Sequence, residues 1–172
     1  PLDQLVFHGA PVPLWHGALR NTVSFRQVTF SANVAFKADY YFRRSTISYN
    51  TLLNNNDGHA DYASRWQKKG DEFWTDVPSF SYPNNADRDN FYTMSEATVE
   101  NGSHIRLNDV KIAYTFQSKL FGGKVIRSMD VYCYVDRLNW VIWRKNKRGI
   151  DPEHPNGFKL PTQVSFGLNV QL

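Results

Sequence analysis

The stretch VTFSANVAFKADYYF, residues 28–42, sets apolar side chains at every second position: Val28, Phe30, Ala32, Val34, Phe36, Ala38, Tyr40 and Phe42. Thr29, Ser31, Asn33, Lys37 and Asp39 fall between them. A helix would scatter the apolar set around its whole circumference, whereas a strand gathers it on one face. The pattern predicts a strand over 27–42. At ~3.3 Å per residue it would reach about 50 Å, well beyond the usual run of about five or six residues in a soluble sheet.

Four more segments carry the same period. In 15–25 the apolar phase is Trp15, Leu19, Val23 and Phe25, interrupted by Gly17 and Asn21. In 103–116 it is Val110, Ile112, Tyr114 and Phe116, with Arg106 in the same phase; in 125–137 it is Met129, Val131, Cys133 and Val135, between Arg127 and Arg137. The last segment, 162–172, alternates Val164, Phe166, Leu168, Val170 and Leu172. Ten residues tilted by about 45° project to roughly 23 Å, close to the ~25 Å apolar band outside a membrane barrel, which puts these arginines at its edges. On a barrel, Val28, Phe30, Val34 and Phe36 and the later apolar phases (Cys133 aside) would face lipid. Asn33, Lys37, Asp39, Lys111, Asp130, Tyr132, Tyr134 and Asp136 would face the lumen.

The links alternate in length. Those at 25–27 and 117–124 are short, while 43–102 and 138–161 are long, the asymmetry of short periplasmic turns and long extracellular loops. By that rule the C-terminus is periplasmic. About five strands is an odd number, and an open edge in lipid leaves backbone groups unpaired, so the chain cannot close a barrel alone. A soluble β-sandwich that binds or cleaves polysaccharide is the alternative that period alone leaves open. The chain opens at Pro1 with no Met and no basic-then-apolar leader, which reads as a processed chain or a piece of a longer one.

Composition excludes other classes. With 41% hydrophobic and 15% aromatic residues the 172-residue chain is built to fold, and no run approaches the roughly 18 to 20 apolar residues of a spanning helix. Cys133 is the single cysteine, so neither an internal disulfide nor a cysteine zinc site is available. A net charge of +4 favours an anionic partner without signing for nucleic acid.

Three stretches resemble the SusC/RagA family of TonB-dependent outer-membrane transporters. Arg65-Trp66-Gln67-Lys68-Lys69-Gly70-Asp71 with Thr75-Asp76-Val77-Pro78 is similar to a loop signature of that family. Val99 to Val110, through Glu100-Asn101-Gly102-Ser103 and Arg106-Leu107-Asn108-Asp109, resembles a strand entry. Tyr134 to Asn139, Trp143 and Gly149-Ile150-Asp151-Pro152-Glu153 resemble the next-to-last strand and its loop, and Pro161 to Leu172 the closing strand. Arg137-Leu138 replaces the usual Gly-Gln, and Leu172 a terminal aromatic. The resemblance implies an all-β antiparallel transmembrane barrel segment, about five C-terminal strands of one of the 22-stranded transporters. It also implies partners: a SusD-like surface lipoprotein as lid, and the TonB complex acting through an N-terminal part absent from this chain. Cargo would be oligosaccharide or oligopeptide, imported across the bacterial outer membrane without catalysis, cofactor or metal.

Candidate contacts follow. Trp66, Phe73, Trp74, Phe80, Tyr82, Phe91 and Tyr92 in the first long loop would stack on sugar, pack on the lid, or give the loop its own small core. Tyr40, Tyr41, Phe42, Trp140 and Trp143 suit an interfacial girdle. Arg144, Lys145, Lys147 and Arg148 would meet lipopolysaccharide or water. Asp71, Glu72 and Asp76 lack any sign of the defined gap between two carboxylates that glycoside cleavage needs. Asn54–Gly58 and Asp87–Asp89 fall short of calcium loops.

Overall fold

The computed structural model describes residues 5–117 and 126–171. Most of the turn expected at 117–124, Val125 and Leu172 lie outside the described residues. β1 (Trp15–Phe25) and β2 (Val28–Ala38) form a hairpin in which only Arg26 and Gln27 separate the paired Phe25 and Val28. Arg26 takes φ 55°, the left-handed backbone such tight hairpins need.

The long strand predicted over 27–42 is two strands. Asp39 turns left-handed at φ 58°, its N–H donates to Ser103 Oγ at 3.1 Å, and the chain leaves the sheet. β3 (Tyr41–Arg43) then pairs with β4 (Val99–Asn101) in a separate two-stranded sheet. The main sheet continues through β5 (His104–Gln117), β6 (Ser128–Asp136) and β8 (Gln163–Gln171), all antiparallel, in the order β1-β2-β5-β6-β8. β7 (Trp140–Arg144) starts inside the segment expected as the second long loop. It pairs with the first half of β5, His104 to Leu107, while β6 pairs with the second half, Val110 to Gln117.

A bulge on β5 lies at this handover. Asn33 pairs with Asp109 and Val34 with Leu107, so Asn108 has no partner on β2 and the side-chain phase of β5 inverts. Val110, Ile112, Tyr114 and Phe116 hold the apolar face on one side of it; Leu107 and Ile105 hold the same face on the other. Arg106, expected beside Val110 at a membrane edge, is thrown to the opposite face and is 4% exposed.

The first long connection is not structureless. Ser48 caps α1 (Tyr49–Asn55), accepting from Thr51 N at 3.3 Å, and Asn85 caps α2 (Ala86–Met94), accepting from Asp87 N and Arg88 N at 3.0 and 3.1 Å. Ile47, Tyr49, Val77 and Tyr92 make its core, with Leu52 and Ala97 packed around them. Below this cap the sheet is one layer. No hydrophobic side chain of the six-stranded sheet is buried among the described residues, whereas Ser31, His104, Arg106 and Asp109 are. Burial is inverted relative to a soluble domain.

Candidate functional site

Register fixes two faces. On one, cross-strand rungs read Val23-Phe30-Ile112-Cys133-Phe166 and Phe25-Val28-Tyr114-Val131-Leu168, followed by Phe116-Met129-Val170. Toward the cap the same face continues through Ala32-Val110-Val135-Val164, Leu19-Val34-Leu107-Trp140 and Gly17-Phe36-Ile105-Trp143. From the level of Trp15 to that of Phe116 it runs about 40 Å along the strands at ~3.3 Å per residue, or roughly 28 Å when tilted by about 45°, near the ~25 Å apolar band of a membrane barrel. Phe166 is 79% exposed and Leu19 69%. No protein layer covers this face among the described residues, and water does not tolerate so large an apolar surface.

The opposite face is polar on every rung. Asp109, 4% exposed, accepts from Asn33 Nδ2 at 2.8 Å and pairs with Arg20 Nη2 at 3.0 Å. Thr22 bonds Ser31 and Ser24 bonds Thr29, each at 3.0 Å. Lys111 Nζ stands 4.2 Å from the Tyr132 ring centre, and that ring crosses Gly167, where an added Cβ would meet it at 2.2 Å. Tyr134 faces Ser165, Asp130 faces Asn169 and Asp136 faces Gln163. Asp39 does not join this wall, because it sits in the turn beyond β2. The sequence pattern assigns neither Arg20 nor Asp109 to the lumen wall, Asp109 entering only through the strand-entry motif, although both stand in the polar phase of their strands.

Where the wall meets the cap, charges close into a knot. Arg106 Nη2 pairs with Asp151, both side chains 5% exposed, and Arg106 Nε lies 3.1 Å from Glu153. Lys37 Nζ reaches Glu153 Oε1 at 2.5 Å and Lys159 Nζ reaches Asp151 at 3.3 Å. His104 Nδ1 sits 2.8 Å from the Gly102 carbonyl, which can only accept, so this nitrogen donates and Nε2 faces Glu153 at 3.6 Å. Contact with His104, with Lys37 and Arg106 adding to it, holds the Glu153 carboxyl far below the usual carboxylate range. Burial opposes ionisation of Asp151, but Arg106 keeps it below that range too. Tyr40, expected in a lipid girdle, is instead 6% exposed, over Gly102 and 3.3 Å from His104. Burial pushes its hydroxyl up to about 12.

In the cap, Tyr92 belongs to the core, and its hydroxyl meets Arg44 Nη2 and Thr46 at 3.1 and 2.9 Å. It is therefore not a surface contact. Phe80 packs edge-on to Tyr49 at 5.5 Å. Phe73, Trp74, Tyr82 and Phe91 are 79–90% exposed, so the cap is held by other side chains. Asp71 Oδ2 accepts from Gln67 N and Lys68 N, both at 3.0 Å, and Glu72 Oε2 accepts from Trp66 Nε1 at 3.0 Å and Gly70 N at 2.7 Å. These bonds hold both carboxyls below their ordinary range and occupy them in building the turn that presents Phe73 and Trp74.

No protein-family model matches the chain. It is 25% identical over 187 aligned residues to TonB-dependent receptor P26 of Formosa agariphila, covering 98% of this chain and 18% of that protein. Its fold matches the RagAB peptide importer in the open-open state with a TM-score of 0.61 at 19% identity, over 95% of this chain and 18% of that one. A further structure of the RagAB peptide transporter gives 0.50 at 20% identity, over 86% and 16%. The chain thus spans less than a fifth of the length of each relative. With an uncovered apolar face and a polar one, the chain is similar in sequence to part of a TonB-dependent receptor and in fold to part of the RagAB importer. Among such receptors its likeness is to the SusC/RagA family, whose C-terminal part its motifs match.

Proposed function

We propose that this chain is part of the wall and outer cap of an importer that carries an oligosaccharide or oligopeptide across the outer membrane. The observation that carries this is the single-layered sheet, apolar and uncovered on one face, hydrogen-bonded and charged on the other. Such a sheet is stable between lipid and a wet lumen, whereas in water its whole apolar face would be left uncovered. Arg20, Asn33, Lys111, Asp130, Tyr132 and Tyr134 line the lumen, against a plug supplied from elsewhere in the polypeptide. A SusD-like lipoprotein closes over the cap, where Phe73, Trp74, Tyr82 and Phe91 are its contacts or the cargo's, and TonB supplies the energy. The chain contributes gated movement and no catalysis. Its relatives are a receptor and a peptide importer, which supports that reading.

The test is uptake. Cells carrying the intact polypeptide should accumulate labelled oligosaccharides or oligopeptides, and should lose that ability when the gene is deleted or the inner-membrane proton gradient is collapsed. Uptake unaffected by both would overturn the proposal. A polypeptide recovered from the soluble fraction would favour the polysaccharide-binding sandwich instead.

A further inference from the structure

We infer that a groove between the two outer segments is a binding site for an acidic saccharide, an inference that rests on the importer reading above and names the cargo class. The groove encloses about 550 Å³ and is lined by Trp74, Lys145, Lys147 and Arg148, with Glu100 its single carboxylate. Trp74 is 90% exposed, and its backbone N–H donates to Asp71 O at 2.9 Å, which fixes the main chain that carries the indole on the turn that Asp71 and Glu72 build.

The cationic wall is equally fixed. Asn146, 7% exposed, clamps the segment by donating from Nδ2 to Ile150 O and accepting from Ile150 N, both at 2.9 Å, while Lys145 N donates to Ser103 O at 2.9 Å. Arg148 ties this wall to the opposite one, reaching Asp76 at 3.0 Å and Glu100 at 3.1 Å. Its charge is therefore matched. Among the described residues neither Lys145 nor Lys147 has an ion-pair partner, and both are exposed. The groove so presents a flat aromatic face and two unmatched ammonium groups on a pre-organised frame.

One chemical unit satisfies both features. A pyranose ring offers a flat C–H face to an indole, and a carboxylate or sulfate on the same ring offers the anion. An acidic peptide supplies the anion without the flat face, and a lipid phosphate supplies it at the membrane edge and not between two cap segments.

The experiment is calorimetric titration of the intact polypeptide carrying this chain, in detergent micelles, with oligogalacturonate, neutral maltohexaose, hexaglutamate and a lipid A diphosphate. Oligogalacturonate should bind at least tenfold more tightly than maltohexaose and weaken as salt rises. K145Q/K147Q should abolish the preference, and W74A should weaken oligogalacturonate at least tenfold, with unchanged heat-dependent gel mobility showing each variant folded. Equal affinity for the neutral and acidic sugars overturns the inference, as does a preference that survives K145Q/K147Q. Hexaglutamate or lipid A binding as tightly as oligogalacturonate also overturns it, as an acidic-peptide or lipid site. Because uptake is measured separately, a failed titration with uptake intact removes this inference alone.

Discussion

Arg106 on β5 and Asp151, 45 positions later, pair with both side chains 5% exposed. The contact joins two motifs that look unrelated along the chain: Asn101-Gly102-Ser103 running to Arg106, and Gly149-Ile150-Asp151-Pro152-Glu153. The first ends in the cation, the second supplies both carboxylates, and Lys37 on β2 locks the pair to the wall through Glu153. The motifs are two halves of one clamp that seats the second outer segment on the sheet.

Removing one member of a buried pair strands the other, at a cost of roughly 3–5 kcal/mol. Arg106→Leu should therefore release residues 145–160 from the wall, and limited proteolysis of the intact polypeptide should cut there at least tenfold faster. Cleavage at the unaltered rate would show that the clamp anchors nothing.

Acid should open the same clamp. Asp151 and Glu153 both have folded-state values below their ordinary ~3.9 and ~4.3, so their stabilisation is complete above those values and disappears as pH falls through the folded ones. Protection of residues 145–160, read by hydrogen exchange, should be flat from about pH 7 to 5 and fall below about pH 4. A loss centred between pH 6 and 7 would assign the control to histidine instead.

Gly102 lies beneath the Tyr40 ring, where an added Cβ would come within 2.3 Å, and Tyr40 is too buried to swing away. Gly102→Val should cost about 1–3 kcal/mol by overpacking in chemical unfolding. In a Tyr40→Ala background the penalty should largely vanish. Equal costs in both backgrounds would move the cause to the backbone.

A charge on the apolar face should be costly and one on the polar face tolerated. Leu168→Arg should destabilise the intact polypeptide in lipid vesicles by about 2–4 kcal/mol, and Asn169→Arg by far less. Similar losses at both positions would mean the faces are not what their side chains suggest.

Much of the wall is legible because period two is a local property: β6 and β8 alternate without interruption, β2 does so up to Asp39, and β1 keeps its phase across the breaks at Gly17 and Asn21. The misreadings come from single residues that break phase. Asn108 is an extra residue on β5, and nothing in its chemistry announces a bulge, so Arg106 was assigned the wrong face. Asp39 turns left-handed and ends a run whose alternation carries on through Tyr40 and Phe42. The clamp was invisible for another reason, since ion pairs between residues far apart in the chain leave no periodic trace. Only the co-occurrence of the two motifs hinted at it. The cap aromatics were recognised as a group, but which of them form the core depends on three-dimensional packing: Tyr92 goes inside while Trp74 stays out.

The most direct measurement of the central claim is solvent mapping along β8. Nitroxide labels placed one at a time at positions 164 to 170 of the intact polypeptide in bilayers report collision with oxygen, which partitions into lipid, or with a water-soluble nickel chelate. Labels at 164, 166, 168 and 170 should be relaxed by oxygen, and those at 165, 167 and 169 by the chelate or by neither, giving a strict two-residue oscillation. No oscillation, or even-numbered positions reached by the chelate, would contradict an apolar face bathed in hydrocarbon.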